Sequence, residues 1–443
     1  MREERNDARS AALRVLRQMD RAAAWADAGL DAELRRSGLA GQEAALAARL
    51  VYGVLQNRAL LDHYLGAYCS QKIDHLQKPL ADILRLGAYQ IVFLDRVPDS
   101  AAVNTSVELC RDCGRGQASG LVNAVLRKVA ANKDNLPPVP EKDAVSYLAT
   151  RYSHPKWLVR RLLSLVGREE AECFLRADNA PAPITVQTNT ILTAPEALRA
   201  SLEAEGVRVT PGLLPGSFQL RGTGNLTKLA AFQAGHFQVQ DDAAALVTKA
   251  MDLRGGEQVL DVCAAPGGKS FRCAMAMGDK GRIVACDLYE NKLRRIEAGA
   301  KRLHLTAIET AALDGRSFRA EWENAFDLVL VDAPCSGLGI IRKKPEIRYK
   351  KADDLFALPV VQTAILENAS RYVKPGGLLL YSTCTILPEE NGQVTDEFLA
   401  GHPDFRRESF ALPVGEVPEG QITLWPQRQG TDGFYICRMR KAT

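Results

Sequence analysis

The chain has 443 residues, 46% of them hydrophobic and 25% charged, a composition typical of a globular protein with two or three domains. Its net charge of +4 is too small to identify a polyanionic partner by itself. The first residues are charged, and no stretch approaches the length of a membrane span, which predicts a cytoplasmic protein without a secretory signal or a membrane partner. The ten cysteines are not spaced as a disulfide framework, as expected for reduced thiols in a cytosol.

Residues 1–134 are predicted to form an all-helical module. Apolar residues recur at helical spacing between positions 46 and 65, which is the pattern of a buried helix face. Residues 83–94 are more apolar still and are predicted to lie at the centre of the bundle. Residues 135–140 contain three prolines and therefore predict a linker.

A short mixed segment is predicted to follow this linker. Helical patterns occur near residues 157–166 and 195–205, and an extended segment, residues 184–190, lies between them. We therefore expect residues 135–235 to contain the linker and a small α+β insert.

From residue 236 onward the sequence predicts an α/β domain that extends to the end of the chain. Short, nearly continuous apolar runs alternate with helical segments, a pattern typical of a parallel sheet covered on both faces. The predicted strands are residues 258–263, 282–287, 326–332 and 377–384. Because ligands of such sheets bind beyond the carboxyl ends of the strands, the residues that follow each strand are the candidates for chemistry.

The first of these strand ends carries a glycine-rich turn. A phosphate-binding loop would need glycine where the chain has Cys263, so that motif fails. Asp287 ends the second strand, 19 residues after Gly268, and suits the two hydroxyls of a ribose. Asp314 follows the next strand, where it could meet an adenine edge. Each aspartate alone is better explained as a helix N-cap, but aspartates at successive strand ends after a glycine turn favour a nucleoside ligand.

Two cysteines follow the next two strands. Cys335 and Cys384 are 49 residues apart in sequence, but parallel strand ends can bring them to one crevice beside Asp332. Burial explains most single cysteines, a disulfide does not fit a cytosol, and further zinc ligands are missing nearby. The chemistry that uses this set is alkylation of a pyrimidine at C5, in which a thiolate adds at C6 and Asp332 contacts cytosine N3 and the exocyclic amine. The residues alone leave open which cysteine attacks.

These motifs resemble those of the Nol1/Nop2/Sun family of RNA cytosine-5 methyltransferases. Segments in the first part of the chain resemble a NusB-type RNA-binding bundle, a fusion typical of the RsmB (Sun/Fmu) type. The segments that carry the two resemblances are residues 50–58, 83–89, 103–107, 120–127, 235–241, 261–269, 332–337, 381–385, 388–391 and 432–435.

The resemblance implies a Rossmann-like domain that uses S-adenosylmethionine as cofactor. No metal is expected, because further zinc ligands are missing near the two cysteines. It implies that Cys384 is the nucleophile and that Cys335 assists product release. The implied substrate is cytosine 967 of bacterial 16S ribosomal RNA, free or in a small-subunit assembly intermediate. We expect the protein to be a monomer. The residues expected to line the cofactor pocket are Cys263, Ala264, Ala265, Pro266, Gly267, Gly268, Lys269, Asp287, Asp314 and Asp332.

A basic run closely follows Cys335. Such a run is usually only a solvated face, but its place in the sequence predicts that it holds phosphates beside a flipped nucleotide. The residues predicted to contact RNA are Arg342, Lys343, Lys344 and Arg348. The family often has arginine where this chain has Gln187, which weakens any prediction of how the small insert contacts RNA.

Other features are set aside, and other functions stay open. Cys110 and Cys113 form a single C-x-x-C pair in a helical region without a second pair, so metal or redox function is not expected. His154 and His236 are expected to be structural or to face RNA. The alternatives are a transfer RNA cytosine-5 methyltransferase, which the helical module opposes only through resemblance, and a non-catalytic RNA-binding factor, which the two cysteines and the complete glycine turn oppose.

Overall fold

The computed structural model describes residues 6–22 and 26–443. Its internal contacts divide the chain into two units. The helical unit comprises Met1–Ala180 together with Ile341–Lys350, and the α/β unit comprises Pro181–Ile340 with Lys351–Thr443. The main division therefore falls near residue 180, while the three-part division at 134 and 235 stays a prediction. No helix in the described part of the chain is long and apolar enough to cross a membrane.

The helical unit contains eight α-helices among its described residues. The first six form the bundle that the apolar spacing predicts, and the predicted linker contains no α-helix. The helices are α1 (Ala8–Ala22), α2 (Ala26–Ser37), α3 (Gly41–Gly66), α4 (Lys78–Phe93), α5 (Asp99–Asp112), α6 (Ser119–Ala131), α7 (Ala144–Arg151) and α8 (Lys156–Asn179).

Helix α4 lies at the centre of the bundle, as its apolar sequence predicts. Two close approaches surround it. A Cβ on Gly53 would lie 1.9 Å from Cζ of Tyr89, and a Cβ on Gly87 would lie 2.4 Å from Cδ1 of Leu126. Small residues at these points let neighbouring helices pack closely, and any side chain there would force them apart.

Helix α3 is bent at Asn57, whose backbone dihedrals are not helical. At the bend, the Leu60 N–H donates to Oγ of Ser153 over 3.1 Å, and the Gln56 carbonyl accepts from Nη1 of Arg348 over 2.9 Å. A straight helix would pair Leu60 N–H with the Gln56 carbonyl. Both groups instead find partners outside the helix, so the bend leaves neither of them unsatisfied.

Arg348 is completely buried in the helical unit, which corrects its assignment to the RNA-binding residues. Besides Gln56, its Nη1 donates to Oδ1 of Asn179 over 3.0 Å and to the Ser153 carbonyl over 3.2 Å. Tyr349 follows it and donates its hydroxyl to the Leu55 carbonyl. Nη1 of Arg348 is thus surrounded by protein acceptors of the helical unit, and the buried guanidinium does not face solvent, where a phosphate would be met.

The α/β unit contains two main sheets and a short hairpin. Its helices are α9 (Pro195–Ala204), α10 (Ala230–Gln233), α11 (Asp242–Lys249), α12 (Gly268–Ala276), α13 (Glu290–Arg302), α14 (Leu358–Ser370), α15 (Gly392–Gly401) and α16 (Pro426–Gln429). Its strands are β1 (Ile184–Thr188), β2 (Arg208–Pro211), β3 (Ser217–Arg221), β4 (Phe237–Val239), β5 (Gln258–Asp261), β6 (Arg282–Asp287), β7 (Ile308–Ala312), β8 (Phe326–Asp332), β9 (Val373–Thr383), β10 (Phe405–Arg407), β11 (Phe410–Leu412), β12 (Gly415–Val417), β13 (Gln421–Leu424) and β14 (Phe434–Lys441).

The smaller sheet has four strands in the order β2-β3-β1-β4, all paired antiparallel. Strand β1 coincides with the extended segment predicted from sequence, and α9 with one of the predicted helices. The apolar side of this sheet packs with α9 around Val186, Leu198 and Phe218. Strand β4 lies just beyond residue 235, where the sequence placed the end of the insert.

The larger sheet has the order β10-β14-β9-β8-β5-β6-β7, and β13 pairs with β14. The five strands from β9 to β7 are parallel, as predicted, and apolar clusters cover both faces of the sheet. Strand β14 pairs antiparallel with β9, β10 and β13, so the sheet is mixed. This antiparallel edge was not predicted from the sequence.

Candidate active site

The carboxyl ends of the central parallel strands meet at one edge of the sheet, as the sequence predicts. The register pairs Asp261 of β5 with Ala285 of β6 and Asp332 of β8 with Ser382 of β9. The loops that leave these strands therefore begin side by side. The catalytic and cofactor residues expected from sequence lie at the ends of β5 to β9, on the loops that follow these strands, or at the start of α12.

The glycine-rich turn follows β5 and begins helix α12. Gly267 has φ of 107°, a left-handed conformation that favours glycine, and a Cβ there would lie 2.5 Å from the Phe271 ring. Asp261, 1% exposed, accepts a hydrogen bond from Oγ of Ser270 over 2.6 Å. Burial raises the pKa of Asp261 to about 7. Glycine is thus required at Gly267, where the backbone packs against Phe271, and the hydrogen bond from Ser270 to Asp261 joins the start of α12 to the end of β5.

The segment between β5 and Gly267 crosses the end of the neighbouring strand β6. The Ala264 N–H donates to the Cys286 carbonyl over 2.7 Å, and the bond from Ala265 to Pro266 is cis. Cys263 is half-buried, and burial raises the pKa of its thiol well above the ordinary value. Cys263 is therefore held as a neutral thiol in the wall of the expected cofactor pocket.

The two carboxylates expected to contact a nucleoside differ in their surroundings. Asp287 is 7% exposed, accepts from the Tyr289 N–H over 3.1 Å and lies 3.2 Å from Nζ of Lys292. Asp314 accepts from Nε and Nη2 of Arg316 over 2.9 and 2.7 Å, and this arginine lowers the pKa of the carboxyl. Both oxygens of Asp314 are thus engaged, so a side-chain contact to an adenine would have to be shared with Arg316.

Lys269 and Asp332 form an ion pair in the crevice. Their Nζ and Oδ2 atoms are 2.6 Å apart, and Oγ of Ser382 donates to the other oxygen of Asp332 over 2.7 Å. Burial works to lower the pKa of Lys269, but the contact with Asp332 outweighs it, so the pKa is raised. Lys269 therefore stays charged and fixes the orientation of the Asp332 carboxylate.

The structure brings the two predicted cysteines together. Sγ of Cys335, after β8, lies 3.3 Å from Sγ of Cys384, after β9, and both residues are half-buried. The hydrogen bond with Cys384, together with burial, raises the pKa of Cys335 well above its ordinary value. Cys335 consequently keeps its proton and can donate it toward the Cys384 sulfur.

Sequence reasoning missed the residues that support this pair. Glu390 is 1% exposed and lies between the two cysteine loops, where it accepts from the Ser336 N–H over 2.8 Å and from Oγ1 of Thr385 over 3.2 Å. Its motif, residues 388–391, carried the family resemblance but had no assigned role. Glu390 could have been identified in the sequence as an acidic residue six positions after the strand-end cysteine Cys384.

The loop after Cys335 packs closely on the start of β14. The Gly339 N–H donates to the Cys384 carbonyl over 2.9 Å, and the Gly433 N–H donates to the Gly339 carbonyl over 2.8 Å. A Cβ on Gly339 would lie 1.9 Å from the Gly433 oxygen, so glycine is required there. The motif at residues 432–435 therefore belongs to the wall of the crevice.

Cys110 and His154, which the sequence analysis set aside, belong to the helical unit. Cys110 is buried and contacts the Arg115 carbonyl. His154 is buried 3.3 Å from Asp178, and burial lowers its pKa well below the ordinary value, so it is structural rather than RNA-facing. The described residues contain no group of three or more His, Cys, Asp or Glu side chains arranged to hold a metal ion.

Gln187, where the family often has arginine, is completely buried in the α/β unit. Its amide donates to Oδ1 of Asp242 over 3.1 Å and accepts from Nη1 of Arg272 over 2.9 Å. An arginine at this position would face the Arg272 guanidinium. The departure from the family pattern therefore concerns internal packing, because this side chain does not reach the surface.

Comparison with known proteins agrees with these features. The family model described as 16S rRNA methyltransferase RsmB/F matches residues 248–440, the NusB family model matches residues 6–131, and an RsmF/B-like ferredoxin-like domain matches residues 154–227. A probable ribosomal RNA small subunit methyltransferase B from Bacillus subtilis (strain 168) is 37% identical over 98% of each chain. The ribosomal RNA small subunit methyltransferase B of Erwinia tasmaniensis is 33% identical over 90% of this chain and 91% of its own.

Solved structures give the same result. The crystal structure of PH0851 is 26% identical, with a TM-score of 0.81, and the match covers 99% of both chains. A methyltransferase homologue from Pyrococcus horikoshii is 28% identical, with a TM-score of 0.59, and the match covers 68% of this chain and all of the other.

The fold and the strand-end crevice define an S-adenosylmethionine-dependent methyltransferase in which a Rossmann-like domain follows a NusB-like helical domain and a small α+β domain. The predicted fold class is thereby confirmed. The chain belongs to the RsmB family of small-subunit ribosomal RNA methyltransferases, as the motifs predicted. Its cofactor is S-adenosylmethionine and its substrate is ribosomal RNA.

Proposed function

We infer that the protein methylates carbon 5 of one cytosine in 16S ribosomal RNA through a covalent cysteine adduct. The observation that carries this proposal is the 3.3 Å approach of Cys335 and Cys384 beside the Asp332–Lys269 ion pair, at the strand ends where this class of fold binds its ligands. Cytosine 967 is the proposed nucleotide, by family resemblance. The RNA is free or part of a small-subunit assembly intermediate.

The residues at the first two strand ends fit the cofactor. Gly267 allows a tight turn at the start of α12, and Asp287 places a carboxylate at the next strand end, where ribose hydroxyls can donate to it. Bound S-adenosylmethionine supplies an electrophilic methyl group. The segment Cys263–Lys269 and Asp287 are proposed to line its pocket, with Asp314 as an outer contact shared with Arg316.

The Cys384 thiolate would attack C6 of the cytosine, because C5 of an aromatic pyrimidine is a poor nucleophile. The new sulfur–carbon bond breaks the C5=C6 double bond, and its electrons make C5 nucleophilic toward the methyl group. A base then removes the C5 proton, the double bond re-forms, and Cys384 leaves as a thiolate. The cytosine regains its aromatic ring with a methyl group in place of that hydrogen.

Asp332 would hold the cytosine during the attack. Lys269 and Ser382 fix its carboxylate, which can accept from the exocyclic amine and from a protonated N3. Protonation at N3 draws electrons from the ring and favours attack at C6. Because uracil has no exocyclic amine, the same contact selects cytosine.

The environment of the two thiols supports a division of labour between them. The hydrogen bond to Cys384 raises the pKa of Cys335, so the Cys335 thiol keeps its proton. The family resemblance assigns the attack to Cys384, whose sulfur lies 3.3 Å from the Cys335 thiol and can accept its hydrogen bond. Cys335 is proposed to assist release of Cys384 from the methylated base.

Arg342, Lys343 and Lys344 remain proposed phosphate contacts, without Arg348. Each is half-buried at the start of the segment that follows the Cys335 loop. A cytosine must leave its stack to reach a thiol, which costs a few kcal/mol, and phosphate contacts on either side can offset that cost.

The test uses the full-length protein, 16S ribosomal RNA and labelled S-adenosylmethionine. We expect Cys384→Ala to lower methyl transfer at least about a thousandfold and to form no adduct, since the nucleophile is lost. Cys335→Ala should instead accumulate a protein–RNA adduct that survives denaturant. Cys173→Ala, a substitution in α8 of the helical unit, serves as the matched control and should behave as wild type.

The opposite pattern would make Cys335 the nucleophile. Mapping 5-methylcytosine in 16S ribosomal RNA, with and without the protein, tests the position. Modification of transfer RNA instead would support the second candidate enzyme. RNA binding without any methyl transfer would support a non-catalytic factor and overturn the proposal.

A further inference from the structure

The two cysteine loops do not meet only at their sulfurs. Ser336 follows Cys335 and Thr385 follows Cys384, and their hydroxyl oxygens are 2.7 Å apart. Both residues are completely buried. The two loops are thus in contact one residue after each cysteine. The groups that hold the side chains of Ser336 and Thr385 in place therefore also hold the two sulfurs at their separation.

Glu390 is the group that fixes them. Its Oε2 accepts from the Ser336 N–H over 2.8 Å and from Nε2 of Gln362 over 3.0 Å, and its Oε1 accepts from Oγ1 of Thr385 over 3.2 Å. Gln362, on α14, also donates to the Pro334 carbonyl over 3.0 Å. One buried carboxylate therefore connects the loop of Cys335, the loop of Cys384 and helix α14 through hydrogen bonds.

The next residue holds the Cys384 loop from both sides of the thiol. Oδ1 of Asn391 accepts from Oγ1 of Thr383 over 2.5 Å, and its Nδ2 donates to the Thr385 carbonyl over 3.0 Å. The Tyr381 hydroxyl donates to the Glu390 carbonyl over 2.7 Å. The short helical turn that carries Glu390 and Asn391 is thus itself anchored to β9, the strand that ends at Cys384.

An ionised carboxylate suits this position because it accepts on both oxygens and donates nothing. All three donors that reach Glu390 are neutral, and bonds from neutral donors to a charged acceptor are stronger than neutral pairs. An amide would place an NH₂ against one of the donors. A shorter side chain would remove one acceptor from each of the three donors in a buried site, where a lost hydrogen bond is costly.

We propose that Glu390 is a positioning residue that sets the distance between the Cys335 and Cys384 sulfurs. The consequence for catalysis rests on the proposed function, in which one thiol attacks and the other assists release. Glu390 acts through Ser336 and Thr385 rather than by touching the substrate. Because a displacement of 1 Å in a reacting group can cost about 100-fold in rate, a change that loosens either loop should lower kcat.

The distance between the sulfurs can be tested without methyl transfer, by cross-linking with diamide. The two thiols lose two electrons and two protons, the sulfurs bond to one another, and the N=N bond of diamide is reduced to a hydrazine. Sulfurs 3.3 Å apart need only a small movement to reach bonding distance, so wild type should cross-link readily. Peptide mass spectrometry measures the rate of the Cys335–Cys384 disulfide in the folded, full-length protein.

Glu390→Gln and Glu390→Ala should slow this cross-link and lower kcat in the same order, with Ala the more severe. We expect a loss of about tenfold for Gln and about 100-fold for Ala in kcat, with little change in the KM for S-adenosylmethionine. Thr385→Val, which removes one of the three donors at nearly constant shape, is a second variant in case Glu390→Ala does not fold. Glu389→Gln is the matched control and should keep the wild-type cross-linking rate and kcat.

Folded Glu390 variants with wild-type cross-linking rate and kcat would overturn the positioning role, as would losses confined to KM. If the cross-link slows as expected but wild type itself forms no 5-methylcytosine, the positioning role of Glu390 stands and the proposed function fails. The two failures are therefore distinguishable in one series of variants.

Discussion

Cys335 and Arg348 are only 13 residues apart in sequence, yet they lie in opposite environments. Cys335 lies in a loop at a strand end, half-buried and facing another reactive group. Arg348 lies in the segment Ile341–Lys350, which belongs to the helical unit, and its guanidinium caps backbone carbonyls. Both residues looked functional in the sequence, but only the strand end is a place where the fold leaves polar groups open to a ligand.

The difference lies in what surrounds each group. Within the segment, Ile341, Pro345 and Ile347 are buried beside Arg348, so the stretch is amphipathic rather than a uniform basic surface. The basic run therefore contains two kinds of cation: three that are half-buried, Arg342, Lys343 and Lys344, and one, Arg348, that is completely buried. The following predictions separate the two regions, beginning with the largest expected effect.

Asp332→Asn should lower methyl transfer about 100-fold or more, because the carboxylate that would contact cytosine is lost and Lys269 loses its counter-charge. Single-turnover transfer of a labelled methyl group measures the effect. Asp327→Asn is the matched control, since Asp327 lies on the same strand and pairs with Lys374 over 2.7 Å. Equal loss in both variants would mean that strand stability, and not the crevice, is being measured.

Arg348→Met should destabilise the helical unit by about 2 kcal/mol, since several carbonyls and the Asn179 oxygen lose their donor in a buried site. Amide hydrogen exchange should rise in α3 around Asn57, and urea unfolding gives the free energy. Lys344→Met is the control and should change the unfolding free energy by less than about 0.5 kcal/mol. If Arg348→Met kept the wild-type free energy of unfolding but bound RNA more weakly, Arg348 would be an RNA-binding residue after all.

Lys343→Glu combined with Lys344→Glu should weaken RNA binding about tenfold near physiological salt and reduce its salt dependence, because fewer counterions are released. The free energy of unfolding should change little. Binding measured over a series of salt concentrations provides both quantities. Unchanged affinity and unchanged salt dependence would remove these lysines from the proposed interface and leave the segment with a structural role only.

Asp261→Asn should have the smallest effect, a change in how stability depends on pH. Burial raises the pKa of Asp261 to about 7 from an ordinary 3.8, so the folded state binds a proton that the unfolded state has lost. The carboxyl therefore makes stability fall as pH rises from about 4 to about 7. The asparagine variant should lack this decline. Parallel stability profiles for the two proteins would contradict the shift.

Much of the candidate site was predictable because the fold gathers residues that follow parallel strands. The glycine turn after β5 and the residues Asp287, Asp332, Cys335 and Cys384 all lie where alternating strands and helices place them. No long-range information was needed beyond the rule that parallel strands end at one edge of the sheet. The family motifs added the roles of the two cysteines, which the residues alone left open.

Other features depended on partners distant in sequence. The Asp314 carboxylate is shared with Arg316, and Glu390 reaches back 54 residues to the Ser336 N–H. Strand β14 was missed because antiparallel pairing with β9 is a property of the assembled sheet. Neither strand propensity nor apolar spacing specifies which strand becomes a neighbour.

The sequence by itself determined the classes of the domains, the order of the motifs and the edge of the sheet at which the chemistry lies. Only the tertiary structure decided that the two sulfurs lie 3.3 Å apart and that Arg348 is buried while neighbouring cations are not. The physical reason is that periodicity and motif spacing are local, whereas burial and hydrogen-bond satisfaction depend on what the rest of the chain brings to each group.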